Sequence, residues 1–186
     1  MKIVVYGPEK RTGVLKGDRI VDIAGAVAKQ GGANAASLSS LANLIDGGKA
    51  ALDSVQKAVD NLGEAGGDIL FGASGVQLHA PRVPGARVAC AGGNFAQHAI
   101  AMAARRAERG EANPIQGDPS DYVRSRGFWG FWKIDRESLG NDGTLPYPAR
   151  ATRLDYEGEV AVILGKQGKN LKAGQIDDFV WGVTLL

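Results

Sequence analysis

The chain has 186 residues, 44% hydrophobic and 23% charged, the composition of an ordinary soluble protein of one or two domains with ample core. Lys plus Arg number 22 against 20 Asp plus Glu, and this near balance does not favour a nucleic-acid partner, for which a clustered basic face is expected. A single cysteine, Cys90, excludes an internal disulfide, and neither a signal-peptide run nor the ~18 apolar residues of a membrane span is present, so no membrane partner and a cytoplasmic setting are expected.

Glycine is abundant, 27 of 186 residues, against an ordinary share of ~7%. The glycines follow no fixed period and alternate with apolar segments, which predicts many tight turns. KIVVYG, GVL and RIVDIAG read as three short strands separated by GPEKRT and KGD, which predicts a small antiparallel meander. Leu38, Leu41, Leu44 and Ile45 then fall at helical spacing behind Ser37 and ahead of Gly47. A second amphipathic helix carries Leu52, Val55, Val59 and Leu62 and stops at Gly63. Pro81 and Pro84 mark a connector, with His79 beside it as a surface or linker residue. The expected division is a small α+β domain over residues 1–80 and a second domain over 81–186.

ARVACAGG predicts a strand ending in a Gly-Gly-Asn turn, and FAQHAIAMAARRAERG a helix whose Arg-rich end complements its dipole. Residues 111–127, polar and Pro-containing, read as an exposed loop. GFWGFWK packs four aromatics into five residues beside Arg124, Arg126 and Lys133; a buried strand is preferred to a base-stacking surface. AGQIDDFVWGVTLL ends the chain as a short helix and a strand.

Two places carry chemistry. RLDYEGEVAVIL reads as a strand in which Asp155, Glu157 and Glu159 share one face with Ala161 and Ile163. Carboxylates two residues apart converge on a hard divalent cation, and without one they repel; the plainer reading is a solvent-washed polar half-strand. The apolar end of that face suggests that it enters the protein. The other place is CAGGNFAQHA, where Gly92, Gly93 and Asn94 turn a strand into a helix with His98 one turn in. The spacing is not a dinucleotide fingerprint. His98 is open to two readings, a structural helix residue or a general base.

Taken together, PRVPGARVACAGGNFAQHA, FWK, RLDYEGEVAVILGK and FVWGVTLL resemble, in order and spacing, the fumarylacetoacetate hydrolase family. The resemblance runs over 81–186. It implies an α+β, mostly β fold: a mixed rolled sheet around the active site, preceded by a small α+β domain and assembled as a homodimer. It implies Glu157 and Glu159 as metal ligands, with Mg²⁺ first and Mn²⁺ or Ca²⁺ as alternatives. His98 would activate water or move protons, Lys133 would sit at the substrate end, and Asn94, Phe95, Asp155 and Tyr156 would shape the pocket. The implied reaction is hydrolysis of a carbon–carbon bond in a small anionic β-diketo or 2-oxo acid, as in catabolism of aromatic compounds. Isomerase, decarboxylase and dehydratase chemistry are alternatives, and an inactive binding or assembly module is the rival of another class. Two departures stand out. Ala101 occupies a place where many members carry a glutamate that pairs with the histidine. The final strand also stops at Leu186, ahead of the aspartate expected as third ligand. The sequence therefore reads as a piece lacking a C-terminal part, with a last strand exposed to association.

Overall fold

The computed structural model describes residues 1–63, 66–134 and 138–186, which form two compact units: Met1–Val83 with Ser138–Leu186, and Pro84–Glu137. The protein is mixed α+β.

In the first unit the predicted meander is present as β1 (Ile3–Tyr6), β2 (Arg11–Lys16) and β3 (Arg19–Asp22). Its register sets Ile3 opposite Val14 and Val14 opposite Val21, so apolar residues meet across the strands. Two short strands that the sequence reading did not foresee, β4 (Leu70–Gly72) and β5 (Leu78–His79), extend it to five strands in the order β4-β3-β2-β1-β5. His79 is thus a strand residue rather than a linker one, its ring 2.8 Å from the Gly7 carbonyl.

RIVDIAG does not continue as a strand. It ends at Asp22, and α1 (Ile23–Lys29) begins because the Asp22 side chain accepts the Gly25 N–H at 2.7 Å as an N-cap. A 3₁₀ turn (Ala35–Ser39), α2 (Leu41–Asp46) and α3 (Gly48–Asp60) follow where helical periodicity was read, with Gly47 joining the last two. Val21, Ile23, Val27, Leu44 and Val55 close the core between sheet and helices.

Asp22 is 6% exposed and serves three neighbours at once. The Arg11 guanidinium donates to both its oxygens at 2.9 Å, and the Tyr6 hydroxyl donates at 2.5 Å. Burial pushes the Asp22 carboxyl up, but the Arg11, Tyr6 and Gly25 donors outweigh it and hold the group below its ordinary value. Burial, aided by Asp22, pushes the Tyr6 phenol up to about 12.

The same unit carries the C-terminal ribbon, β8 (Val160–Leu164) against β9 (Val180–Leu185), antiparallel, with a 3₁₀ turn (Ala173–Asp178) before β9. The final strand is therefore paired along one edge, by β8. Ile163 and Trp181 turn inward onto the cluster of Val5, Leu41 and Ile45. The opposite face stays exposed at Val160, Val162, Leu164, Val183 and Leu185.

The second unit contains β6 (Val88–Ala91) and β7 (Gly130–Lys133), paired antiparallel, with α4 (Ala96–Glu108) and α5 (Pro119–Arg126) between them. α5 corrects the reading of 111–127 as loop: Asp118 caps the Ser120 and Asp121 N–H groups, and Pro119 takes the first helical position. β7 is a strand as expected but not a buried one, because a two-stranded ribbon offers its aromatics no second layer; Trp132 is 68% exposed. Among the described residues no helix is long and apolar enough to cross a membrane.

Asp22→Ala removes the cap of α1 and one partner of a buried ion pair, a change that costs roughly 3–5 kcal/mol, and a loss of that size is expected in chemical denaturation. Because the folded carboxyl titrates below its free value, its contribution is complete above pH ~3.9 and drains away as pH falls below that. The raised Tyr6 phenol acts at the other end, where stability falls as pH climbs from the ordinary 10.0 to about 12. Trp181→Ala should loosen the ribbon alone: amides of β8 and β9 should exchange faster while those of β1–β3 keep their protection. Uniform loss of protection would show that the ribbon is not a separable layer.

Candidate functional site

The histidine and lysine candidates are carried by the second unit. β6 ends in a ladder bond from the Gly92 N–H to the Trp129 carbonyl at 3.1 Å. Gly93 then takes φ +58, a left-handed conformation suited to glycine, and the chain leaves the strand. A Cβ at Gly92 would enter the six-membered ring of Trp129, so any larger residue there has to move that ring. Asn94 reaches back to the same residue, donating to the Trp129 carbonyl at 2.8 Å and accepting its N–H at 3.3 Å. Phe95, 76% exposed, is the extended residue ahead of α4 and supplies no side-chain cap.

α4 buries Ala99 and Ala103, one turn apart, which leaves His98 in its first turn on the exposed side. Ala101 is exposed as well, and among the described residues no hydrogen-bond partner holds the His98 ring. Arg105 and Arg106 lie in the last turn, where cations favour the dipole.

Lys133 closes β7 opposite Val88, with its ammonium 5.7 Å from the centroid of the Phe131 ring. Trp129 and Phe131 lie 6.1 Å apart, and Arg126 sits over Trp129 at 5.9 Å. Arg87 lies over Trp132 at 5.9 Å. The aromatic faces of this ribbon are thus already engaged by the chain's own cations.

The acidic candidates belong to the first unit, and their placement corrects the expected strand. Only Val160–Leu164 is strand. Asp155, Tyr156, Glu157 and Glu159 precede it, all exposed, with Tyr156 at 93%. Glu159 does join the ribbon, exchanging two backbone bonds of 2.9 Å with Leu186. The ladder closes at this pair, and residues 153–158 stand outside the ribbon. The alternation foreseen in the sequence survives at its apolar end, where Ile163 packs on the core, whereas the acids remain in solvent. Asp155 accepts the Tyr156 N–H at 3.2 Å. Glu157 and Glu159 form no ion pair with another described residue.

Two carboxylates without protein cations are oxygen donors of the type hard divalent ions take, so they fit as part of a ligand set. They do not complete one: among the described residues no three His, Cys, Asp or Glu side chains gather into a group that could hold a metal. Sequence reading overlooked the pair of hydrogen bonds between Asn94 and Trp129, since nothing local ties residues 35 positions apart. It also passed over Asp118-Pro119, whose cap-and-proline pair was a readable helix start.

Residues 87–186, more than half of the chain, match the family model described as fumarylacetoacetate (FAA) hydrolase C-terminal. Oxaloacetate tautomerase YisK of Bacillus subtilis is 30% identical over 121 residues, covering 64% of this chain and 35% of its own length. Protein Rv2993c of Mycobacterium tuberculosis is 29% identical over 110 residues, 59% of this chain and 34% of that protein. An uncharacterized protein of Pyrococcus abyssi, PYRAB13970, is 38% identical over 56 residues, 30% of this chain and 25% of its own. The chain thus spans about a third or less of the length of these curated relatives.

Gly92→Ala tests the strand-to-helix joint. The new methyl must displace the Trp129 indole, at a cost of ~1–3 kcal/mol typical of overpacking. The expected result is a shifted Trp129 indole resonance in a protein that still folds. An unmoved resonance would contradict the packing of the ring on Gly92.

Proposed function

The chain belongs to the fumarylacetoacetate hydrolase family, and from that premise we propose that it is part of a divalent-metal-dependent enzyme acting on a small anionic 2-oxo acid through its enol or enolate. The observation that carries this reading is the pair Glu157 and Glu159, two exposed carboxylates inside the family-matching region with no ion-pair partner among the described residues. Left bare, such a pair repels; with a hard cation it becomes a binding element. A cation of this kind, Mg²⁺ by preference, supplies Lewis-acid polarisation of the substrate's oxo and carboxylate oxygens.

The remaining roles fall to the chain's own side chains. Lys133 offers an ammonium to a substrate carboxylate, and the flanking Phe131 ring gives the carbon skeleton an apolar surface. His98 takes a proton from the carbon next to the oxo group and returns one, since histidine as a residue type exchanges protons near neutral pH. Asp155 and Tyr156 border the metal-binding carboxylates. The catalytic domain of this reading is the family's mixed rolled sheet, working as a homodimer together with the portion of the relatives' length that the chain does not span.

Proton transfer, that is keto–enol tautomerisation, leads among the possible reactions. The named relative is an oxaloacetate tautomerase, and Ala101 leaves no carboxylate one turn beyond His98 to orient it as a base for water. Hydrolysis of a carbon–carbon bond in a β-diketo acid is the second reading, favoured by the family match itself.

In the full protein, the conversion of enol to keto oxaloacetate should be accelerated, the acceleration should disappear with a chelator, and Mg²⁺ should restore it. Glu157→Gln and Glu159→Gln should each weaken Mg²⁺ binding in calorimetry. His98→Ala should lower the rate by about 10²- to 10⁴-fold with metal binding intact. Turnover indifferent to chelation and to both glutamate changes would refute the metal site, whereas cleavage of an acylpyruvate in place of tautomerisation would select hydrolysis.

A further inference from the structure

We infer that Asn94 is a positioning residue for His98 and Lys133 rather than a group that touches substrate; this inference rests on the proposed roles of those two residues. Its carboxamide is held by one residue at both ends, the amide donating to the Trp129 carbonyl at 2.8 Å and the oxygen accepting the Trp129 N–H at 3.3 Å, which fixes its orientation. A two-bond exchange with a single residue is what a main-chain partner makes at a hydrogen-bonded pair of an antiparallel ladder. The Asn94 side chain therefore adds one rung to the β6–β7 ribbon after the backbone has left it. The Trp129 carbonyl receives two donors, this amide and the Gly92 N–H at 3.1 Å, which uses both of its lone pairs.

The rung stands at the junction of the two elements that carry the proposed chemistry. On one side, Gly93 turns the chain at φ +58 and α4 starts at Ala96 without a side-chain cap, so neither residue stiffens the joint. His98 lies four residues beyond Asn94. On the other side, Lys133 lies four residues beyond Trp129, along β7. With the carboxamide in place, the first turn of α4 is tied to the start of β7 at a defined point. Without it, the helix hangs from a glycine turn. The bonds are solvent-exposed, so their loss should spare the fold and cost geometry instead. Small misplacements of a reacting group cost rate steeply.

The test is a double-mutant cycle in the full protein with Mg²⁺ and oxaloacetate, combined with amide exchange at Trp129. Asn94→Ala should speed exchange of the Trp129 amide several-fold and leave the unfolding midpoint near wild type. It should lower kcat by about tenfold with little change in KM. In a His98→Ala background the same change should cost far less, because the group it positions is gone. Losses that multiply fully in the double variant, a rise in KM alone, or an unchanged Trp129 amide would each overturn the positioning role while leaving the proposed function in place. A His98→Ala protein with full activity would overturn the role assigned to His98, and this inference with it.

Discussion

The first unit depends on one carboxylate. Asp22 ends β3, caps α1, binds Arg11 of β2 in both its oxygens and receives the hydroxyl of Tyr6 from β1. Three strands and a helix are thereby joined at a single buried point. A buried charge is costly unless every oxygen has donors, and here four donated bonds meet it. That requirement explains why the third strand stops where it does. Continuing it through Ile23 would leave the carboxylate without the Gly25 N–H, and α1 without its cap.

The C-terminal ribbon shows how one set of side chains meets two environments. The inner face of β8 and β9 offers Ile163 and Trp181 to the meander and helix core, which fixes the ribbon to its unit. The outer face presents Val160, Val162, Leu164, Val183 and Leu185 to solvent. Glu159 enters at the end of this ladder, so the acidic segment is tethered by its last residue to a packed element. The Glu157 and Glu159 side chains stand exposed to solvent. In the second unit the balance is different: among its described residues the buried hydrophobic side chains are two alanines of α4, and Arg and Lys side chains lie beside the ribbon's exposed aromatics. The β6–β7 ladder and the two bonds between Asn94 and Trp129 join its strands and the start of α4.

Several elements were legible because their causes are local. The alternation in KIVVYG, the helical spacing of Val55 and Val59, and the Gly-Gly-Asn turn after β6 are each written within a few residues, and each is where it was read. The misreadings have non-local causes. RIVDIAG has the composition of a strand throughout, and it ends where Asp22, held by Arg11 and Tyr6 of other strands, caps the Gly25 N–H. GFWGFWK has the composition of a buried strand, but burial is decided by what lies over it, and β6 provides no second layer. RLDYEGEVAVIL alternates from end to end, yet among the described residues only its part from Glu159 onward is paired in the ribbon.

The sequence by itself determined the class of the protein, its mixed α+β elements, its family and the residue types that make a metal-and-histidine chemistry conceivable. Side-chain chemistry and spacing are carried by the chain, and four motifs in order preserve them. Tertiary structure alone decided which carboxylate is buried and which stand in solvent. It also decided that Asn94 is spent on the Trp129 backbone 35 residues away. Burial and hydrogen-bond partnership depend on what approaches from elsewhere in the fold, and a spacing along the chain does not contain that.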